Sequence, residues 1–318
     1  MSISPGPRIS TEWSLAGQQA IILENPATRI VVLPGLGGKI ISLVDKQVDG
    51  ELLWRNSRVP VRAAAFGTSY DDQFLGGWDE LYPNDMAEEL AGELVPDHGE
   101  LWAVPWHWAV GSAADQVWLE LTVCGAITGT EVTKRLTLGT GSDLVIDYRI
   151  TNTGRSDQPF LWKSHIAVAL RPDTVIDMAA GEVLVHEFGL PRARPAGGSF
   201  TWPYLTVDSV RHDLRRLPDT TGRGVSELLI STNLERGECS AQHPSDQTGL
   251  RLLWNRTDLP SCWLFASYGG GWRGLNVLVL EPCTGFPLSV NEGIGAGTHQ
   301  VLGASQTKFW QLTARIGR

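Results

Sequence analysis

Three short segments of this chain carry titratable side chains in settings where they could do chemistry. Glu281 ends the aliphatic run Asn276-Val277-Leu278-Val279-Leu280, and Pro282 follows it. Four aliphatic residues in succession predict a strand covered on both faces. A carboxylate leaving such a strand is partly desolvated, which disfavours its charged form and raises its pKa. Pro282 biases Glu281 towards an extended conformation. A rigid carboxylate with a raised pKa suits a general base, although a glutamate at a strand end can equally meet solvent. His98 lies in Pro96-Asp97-His98-Gly99-Glu100-Leu101-Trp102, with Pro105-Trp106-His107-Trp108 close behind. That reads as a structured loop where a glycine lets the backbone approach a ligand, or as a surface histidine capped by Asp97. In Leu161-Trp162-Lys163-Ser164-His165-Ile166-Ala167-Val168, alternation sets Lys163 and His165 on one face with Leu161 and Ala167. Two polar groups on an otherwise apolar face need polar company, at a sheet edge or in a cleft.

The elements that must hold these segments read as short strands broken by Gly, Asn, Asp and Pro, with hardly any helical periodicity. Strands are expected over residues 19–24, 29–33, 39–44, 117–124, 131–138, 143–151, 159–170 and 306–316. Regular strands with turn signals favour a β-sandwich or barrel over an α/β fold. Tyr268-Gly269-Gly270-Gly271-Trp272-Arg273-Gly274 leads into a strand rather than a helix, which excludes a phosphate or dinucleotide loop. Those glycines bring Trp272 close to a ligand or shape a hairpin. Residues 191–198 are the best candidate for an exposed loop, taken as an excursion within one domain over residues 1–318.

The 318 residues are enough for a substantial core. A formal net charge of -9, scattered along the chain, argues against nucleic acid or an anionic membrane surface as the main partner. Cys124, Cys239, Cys262 and Cys283 form no CxxC pair and read as reduced thiols. The N-terminal Met1-Ser2-Ile3-Ser4-Pro5-Gly6-Pro7-Arg8 has no apolar core of a secretory signal, and no run is long enough for a membrane span. The expectation is a cytoplasmic protein, monomer or homodimer. Thirteen tryptophans against three methionines fit a carbohydrate site, because aromatic faces stack on sugar C–H faces. Each one taken singly is more readily a core filler.

In order and content these segments resemble the aldose 1-epimerase (galactose mutarotase) superfamily. Arg29-Ile30-Val31-Val32-Leu33-Pro34-Gly35-Leu36-Gly37-Gly38 with Gly50-Glu51-Leu52-Leu53-Trp54 is similar to that family's opening strand pair. Gly76-Gly77-Trp78-Asp79-Glu80-Leu81-Tyr82-Pro83 looks like a variant of its Gly-rich segment. Asp97-His98-Gly99 resembles its first histidine motif, His165 falls in order at its second histidine, and Glu281 at its C-terminal glutamate. The resemblance implies an all-β fold, a large antiparallel β-supersandwich with a sugar cleft on one sheet, and no cofactor or metal. It implies that Glu281 takes the proton from the anomeric hydroxyl, that His165 protonates the ring oxygen, and that His98 donates a hydrogen bond to the sugar. The ring then opens, turns about C1–C2 and closes as the other anomer. Trp78, Asp79, Glu80, Lys163, Trp272, Arg273 and Arg62 are the expected sugar contacts. Galactose-type members carry a histidine-rich first motif and an Asn-His-aromatic second one. Here Pro-Asp-His-Gly and Lys-Ser-His-Ile stand instead, which marks a divergent relative and leaves the sugar open.

Three other readings compete. A sugar-phosphate mutarotase would need a basic cluster, for which Arg55, Arg58 and Arg62 are loose candidates. A non-catalytic carbohydrate-binding protein would keep the aromatic cleft without needing the glutamate–histidine pair. A metal hydrolase built on His98 and His165 lacks any HxH or HExxH pairing.

Overall fold

The computed structural model describes residues 6–317. The leader reading falls in part on residues 1–5, outside the described residues. Alternating apolar positions dominate, and eighteen strands hydrogen-bond into one sheet, with three two-stranded ribbons beside it. The pairing runs from Arg8–Leu15 through Gln18–Glu24, Thr28–Leu33, Lys39–Asp45, Trp78–Leu81, Lys163–Val168 and Leu275–Cys283 to Ser261–Trp272. The 19-residue strand Val225–His243 then carries the sheet around. Its residues 225–230 pair with Ser261–Trp272, and its residues 238–243 with Thr248–Trp254. From there the ladder continues through Thr307–Ile316, Asp143–Asn152, Thr130–Leu138 and Val117–Cys124 to His107–Ser112.

The sheet is thereby folded over on itself. Trp78, Ile166 and Leu280 from the first half share one buried cluster with Leu121, Ile146 and Leu312 from the second. This is the two-layered, antiparallel, all-β architecture that the family resemblance implies, within the sandwich-or-barrel class that the strand spacing favours. Removing apolar side chains of both inner faces from water is the main force holding the layers together.

One strand reading changes, and one long strand was not among those expected. Residues 159–170 do not form one strand. Gln158–Phe160 pairs with Gln300–Leu302 in a separate ribbon, and Lys163–Val168 joins the main sheet. Between them the backbone leaves the ladder: the Leu161 amide donates to the Pro83 carbonyl at 2.7 Å, and that of Trp162 to Thr284 Oγ1 at 2.8 Å. The long strand Val225–His243 is hidden in the sequence by Gly237, which reads as a break. In the fold a Cβ there would stand 2.2 Å from the Trp254 carbonyl oxygen, so glycine allows the close approach where the strand passes between layers. No helix among the described residues is long and apolar enough to cross a membrane.

Candidate active site

Strand parity assembles the core of the site. His165 pairs with Asp79 across one strand boundary, and Glu281 with Trp263 across another. Lys163 pairs with Cys283 and Ile166 with Leu280, so counting inward sets Glu281 opposite His165. One cross-strand row therefore runs Asp79, His165, Glu281, Trp263. Their chain neighbours Trp78, Ile166, Leu280 and Leu264 point the other way, into the core between the layers. The row lies on the outer face, between an apolar cluster containing Tyr70, Phe74 and Val279 and another containing Leu161, Leu228 and Trp263. Glu281 does not end its strand. The ladder continues through Pro282 to Cys283, and Pro282 pairs with Cys262. Burial on this face, rather than exit from the sheet, is what desolvates the carboxylate.

Loops close the row into a cavity of about 200 Å³. The short turn Asp71–Gln73 and the residue before it bring Asp71 and Tyr70, and the chain after Trp78–Leu81 brings Asp85. His98 comes from a loop fastened to that same chain: its amide donates to the Asp85 carbonyl at 2.8 Å, and the Glu100 amide to that of Tyr82 at 2.8 Å. His98 has φ of 60°, a left-handed conformation that few non-glycine residues adopt outside strained sites. Gly99 follows at φ 77°, where a Cβ would lie 2.0 Å from the Tyr82 carbonyl oxygen. Phe265 and Trp272, meeting edge to face at 5.2 Å between ring centroids, form an aromatic wall. Trp272 is delivered by a two-residue hairpin turn, Arg273-Gly274, both at positive φ.

Lys163 is the electrostatic centre. Its ammonium sits between Asp85 and Glu281, 2.7 Å from Glu281 Oε2, and 4.4 Å from the centroid of the Trp263 ring. Burial opposes its charge, yet the two carboxylates keep its pKa above the ordinary lysine value. Burial pushes the Glu281 pKa up; Lys163 pulls it back only in part. Asp85 feels the same burial, but as the tighter partner of Lys163 and a neighbour of His98 it ends below the usual carboxylate range. Lys163 thus commits one arm to Asp85 and engages one oxygen of Glu281.

The two histidines are shifted in opposite directions. Burial would lower the pKa of His98, but Asp97, 3.0 Å from its Nδ1, together with Asp85 raises it overall. Burial, then the charges of Lys163, His98 and Lys39, drive the His165 pKa well below the ordinary value, so its ring is neutral at pH 7. Tyr70 touches both rings. It stacks on His98 with centroids 4.3 Å apart and planes 10° apart, and its hydroxyl lies 3.1 Å from His165 Nδ1. The same hydroxyl donates its one proton to Asp79 Oδ2 at 2.8 Å, and Asp79 is ion-paired to buried Lys39. The hydrogen-bond pattern therefore assigns the His165 proton to Nδ1, donated to the Tyr70 oxygen, and leaves Nε2 as an acceptor.

Of the residues singled out in the sequence, Glu281, His165, His98, Lys163 and Trp272 line this one cavity. Asp79 lies beneath it and reaches it through Tyr70. Trp78 and Glu80 face the opposite way. Glu80 is buried between the layers with Lys134 at 2.8 Å, Tyr148 at 2.7 Å and Ser164 at 3.0 Å, because strand alternation sends residues 78 and 80 to the core when 79 faces outward. Arg273 stands outside, donating to Asp72 at 2.6 Å, and Arg62 lines a separate small recess with Lys39. Arg58 donates to the Arg273 carbonyl at 3.0 Å. No arginine is among the residues lining the cavity. Tyr70, Asp71, Asp85 and Trp263 also line it and were not singled out from the sequence. Asp85 stands two residues beyond the quoted Gly76–Pro83 segment, in a Pro-Asn-Asp turn, the one signal that could have found it. Among the described residues no group of three or more His, Cys, Asp or Glu is arranged to hold a metal ion.

A buried carboxylate with a raised pKa and two histidines shifted in opposite directions thus share one aromatic-walled cavity on an all-β supersandwich. No protein-family model matches the chain, and no curated protein matches it by sequence. Solved structures do match its fold. A galactose mutarotase-like protein from Clostridium acetobutylicum is similar with a TM-score of 0.72 at 13% identity, covering 98% of this chain and 99% of that one. A galactose mutarotase related enzyme from Lactobacillus acidophilus is similar with a TM-score of 0.62 at 14% identity, covering 94% and 98%. A protein from Synechocystis sp. PCC 6803 is similar with a TM-score of 0.68 at 16% identity, covering 100% and 99%. The chain has the galactose mutarotase-like fold, at identities that mark it as divergent.

Proposed function

We propose that the protein is a mutarotase that interconverts the α and β anomers of an aldose without a cofactor, with the sugar held against Trp272 and the aromatic wall. Ring opening needs a base at the anomeric hydroxyl and an acid at the ring oxygen, both acting near neutral pH. Glu281 is the base: its raised pKa gives it basicity, and Lys163 at one oxygen keeps it ionised while the other accepts the proton. Of the two histidines, His98 has the raised pKa, so in this reading His98 is the acid. His165, neutral with Nε2 unprotonated, accepts a hydrogen bond from a sugar hydroxyl. This exchanges the histidine roles that the family resemblance implies. The observation that carries the proposal is the single cavity shared by a Lys163-held Glu281 and two histidines whose pKa values are driven in opposite directions.

Polarimetry on freshly dissolved pure anomers of several aldoses tests it. The protein accelerates equilibration of at least one, and Glu281→Gln loses about 10²–10⁴ of that acceleration, the usual worth of a positioned acid or base. Equal rates for the two proteins would remove Glu281 from the mechanism.

A further inference from the structure

Away from the active-site cavity, a second concavity of about 370 Å³ carries the opposite charge. Arg192, Arg211, Arg216 and Arg223 line it, with Leu217 and Val225 as an apolar wall. It shares no lining residue with the cavity around Glu281. In a chain of formal charge -9, cations gathered in one recess run against the field of the whole molecule.

Two of the local arginines are already neutralised. Arg192 grips buried Glu227 at 2.5 and 3.0 Å, and neighbouring Arg215 takes up Asp213 at 2.9 Å. Arg211, Arg216 and Arg223 have no carboxylate within ion-pair distance among the described residues. Two of these arms are nevertheless steadied. The Arg211 guanidinium lies 3.6 Å from the Tyr204 ring centroid, and Arg223 donates to the Pro191 carbonyl at 3.2 Å. Asp219 is the one lining carboxylate without a cationic partner; it accepts the Thr221 amide at 2.8 Å. Three free guanidiniums against one carboxylate leave the recess positive.

Guanidinium forks match the tetrahedral oxygens of phosphate and can hold it bidentately. The recess is larger than an inorganic phosphate needs, and its apolar wall offers a surface for the organic part of a ligand. We propose that this recess binds a phosphorylated small molecule, at a site separate from the sugar cavity.

The test is calorimetric titration of the full chain with inorganic phosphate, pyrophosphate, adenosine 5′-monophosphate and glucose 6-phosphate, with adenosine and glucose as uncharged controls. Saturable one-site binding of the organic phosphates is expected, tighter than that of inorganic phosphate. Arg211→Gln with Arg216→Gln, which removes two exposed guanidiniums that pair with no carboxylate, should weaken it about tenfold or more with the thermal midpoint unchanged. Glu281→Gln should leave it unaltered. Three results overturn the proposal: no saturable binding of any phosphate at roughly 10 mM, the highest concentration used; equal affinity in the double-arginine variant; or loss of binding in Glu281→Gln, which would move the ligand to the other cavity.

Discussion

Glu80 and Glu281 are both buried glutamates beside a buried lysine, one on each face of the same half-sheet. Glu80 faces the second layer, where Lys134, Tyr148 and Ser164 supply donors from all around. Glu281 faces outward, where Lys163 engages one oxygen and a cavity lies beside it. Burial raises the pKa of both. The difference is saturation. A carboxylate with both oxygens engaged is a structural strut, whereas one with a free oxygen facing a cavity is available to a proton. A shifted pKa alone does not tell the two apart.

The comparison breaks most readily at the inner pair. Glu80→Gln leaves Lys134 charged and unpaired between the layers and should cost about 3–5 kcal/mol in chemical unfolding, whereas the double variant Glu80→Gln with Lys134→Met should recover most of that loss. If Glu80→Gln is neutral, the inner pair is not a strut. Glu281→Gln should lose under about 2 kcal/mol, because Lys163 keeps Asp85, while anomer exchange collapses.

Next in size is the pH dependence. In the proposed mechanism the active form needs Glu281 ionised and His98 protonated. With the Glu281 pKa above 4.5 and the His98 pKa above 6.5, the rate should rise through the first and fall through the second as pH increases. His98→Asn should abolish the alkaline fall. His165→Asn should keep it, since His165 is already neutral there. The reverse pattern would restore His165 as the acid. The smallest effect is expected from Tyr70→Phe. It frees His165 Nδ1 from its acceptor and should raise KM severalfold with the acid limb of the profile unmoved, since Lys163 still holds Glu281. A shift of that limb would tie Tyr70 to Glu281 instead.

Much of the fold was legible because strand periodicity is local. Val117–Cys124 coincides with the expected strand, and Thr28–Leu33 and Lys39–Asp45 each differ by one residue at an end. The long strand Val225–His243 was not legible, since the residue that permits its passage between layers, Gly237, also looks like a terminator. In the site, the titratable groups on a clean alternating strand were readable: Lys163 and His165 share a face as their spacing requires. Asp85 and Tyr70 come from irregular segments whose side-chain directions no period encodes.

The sequence alone determined which residues lie on the same side of each strand, because alternation is a property of the backbone. It could not determine which side becomes core and which becomes cavity. The Trp78-Asp79-Glu80 run permits either assignment, and only the packing of the second layer against Trp78 and Glu80 turned Asp79 outward. The protonation states were likewise a tertiary decision. They depend on Asp97, Asp85, Lys163 and Lys39 converging from distant parts of the chain, and electrostatic energy follows distance in space and local burial, not separation in sequence.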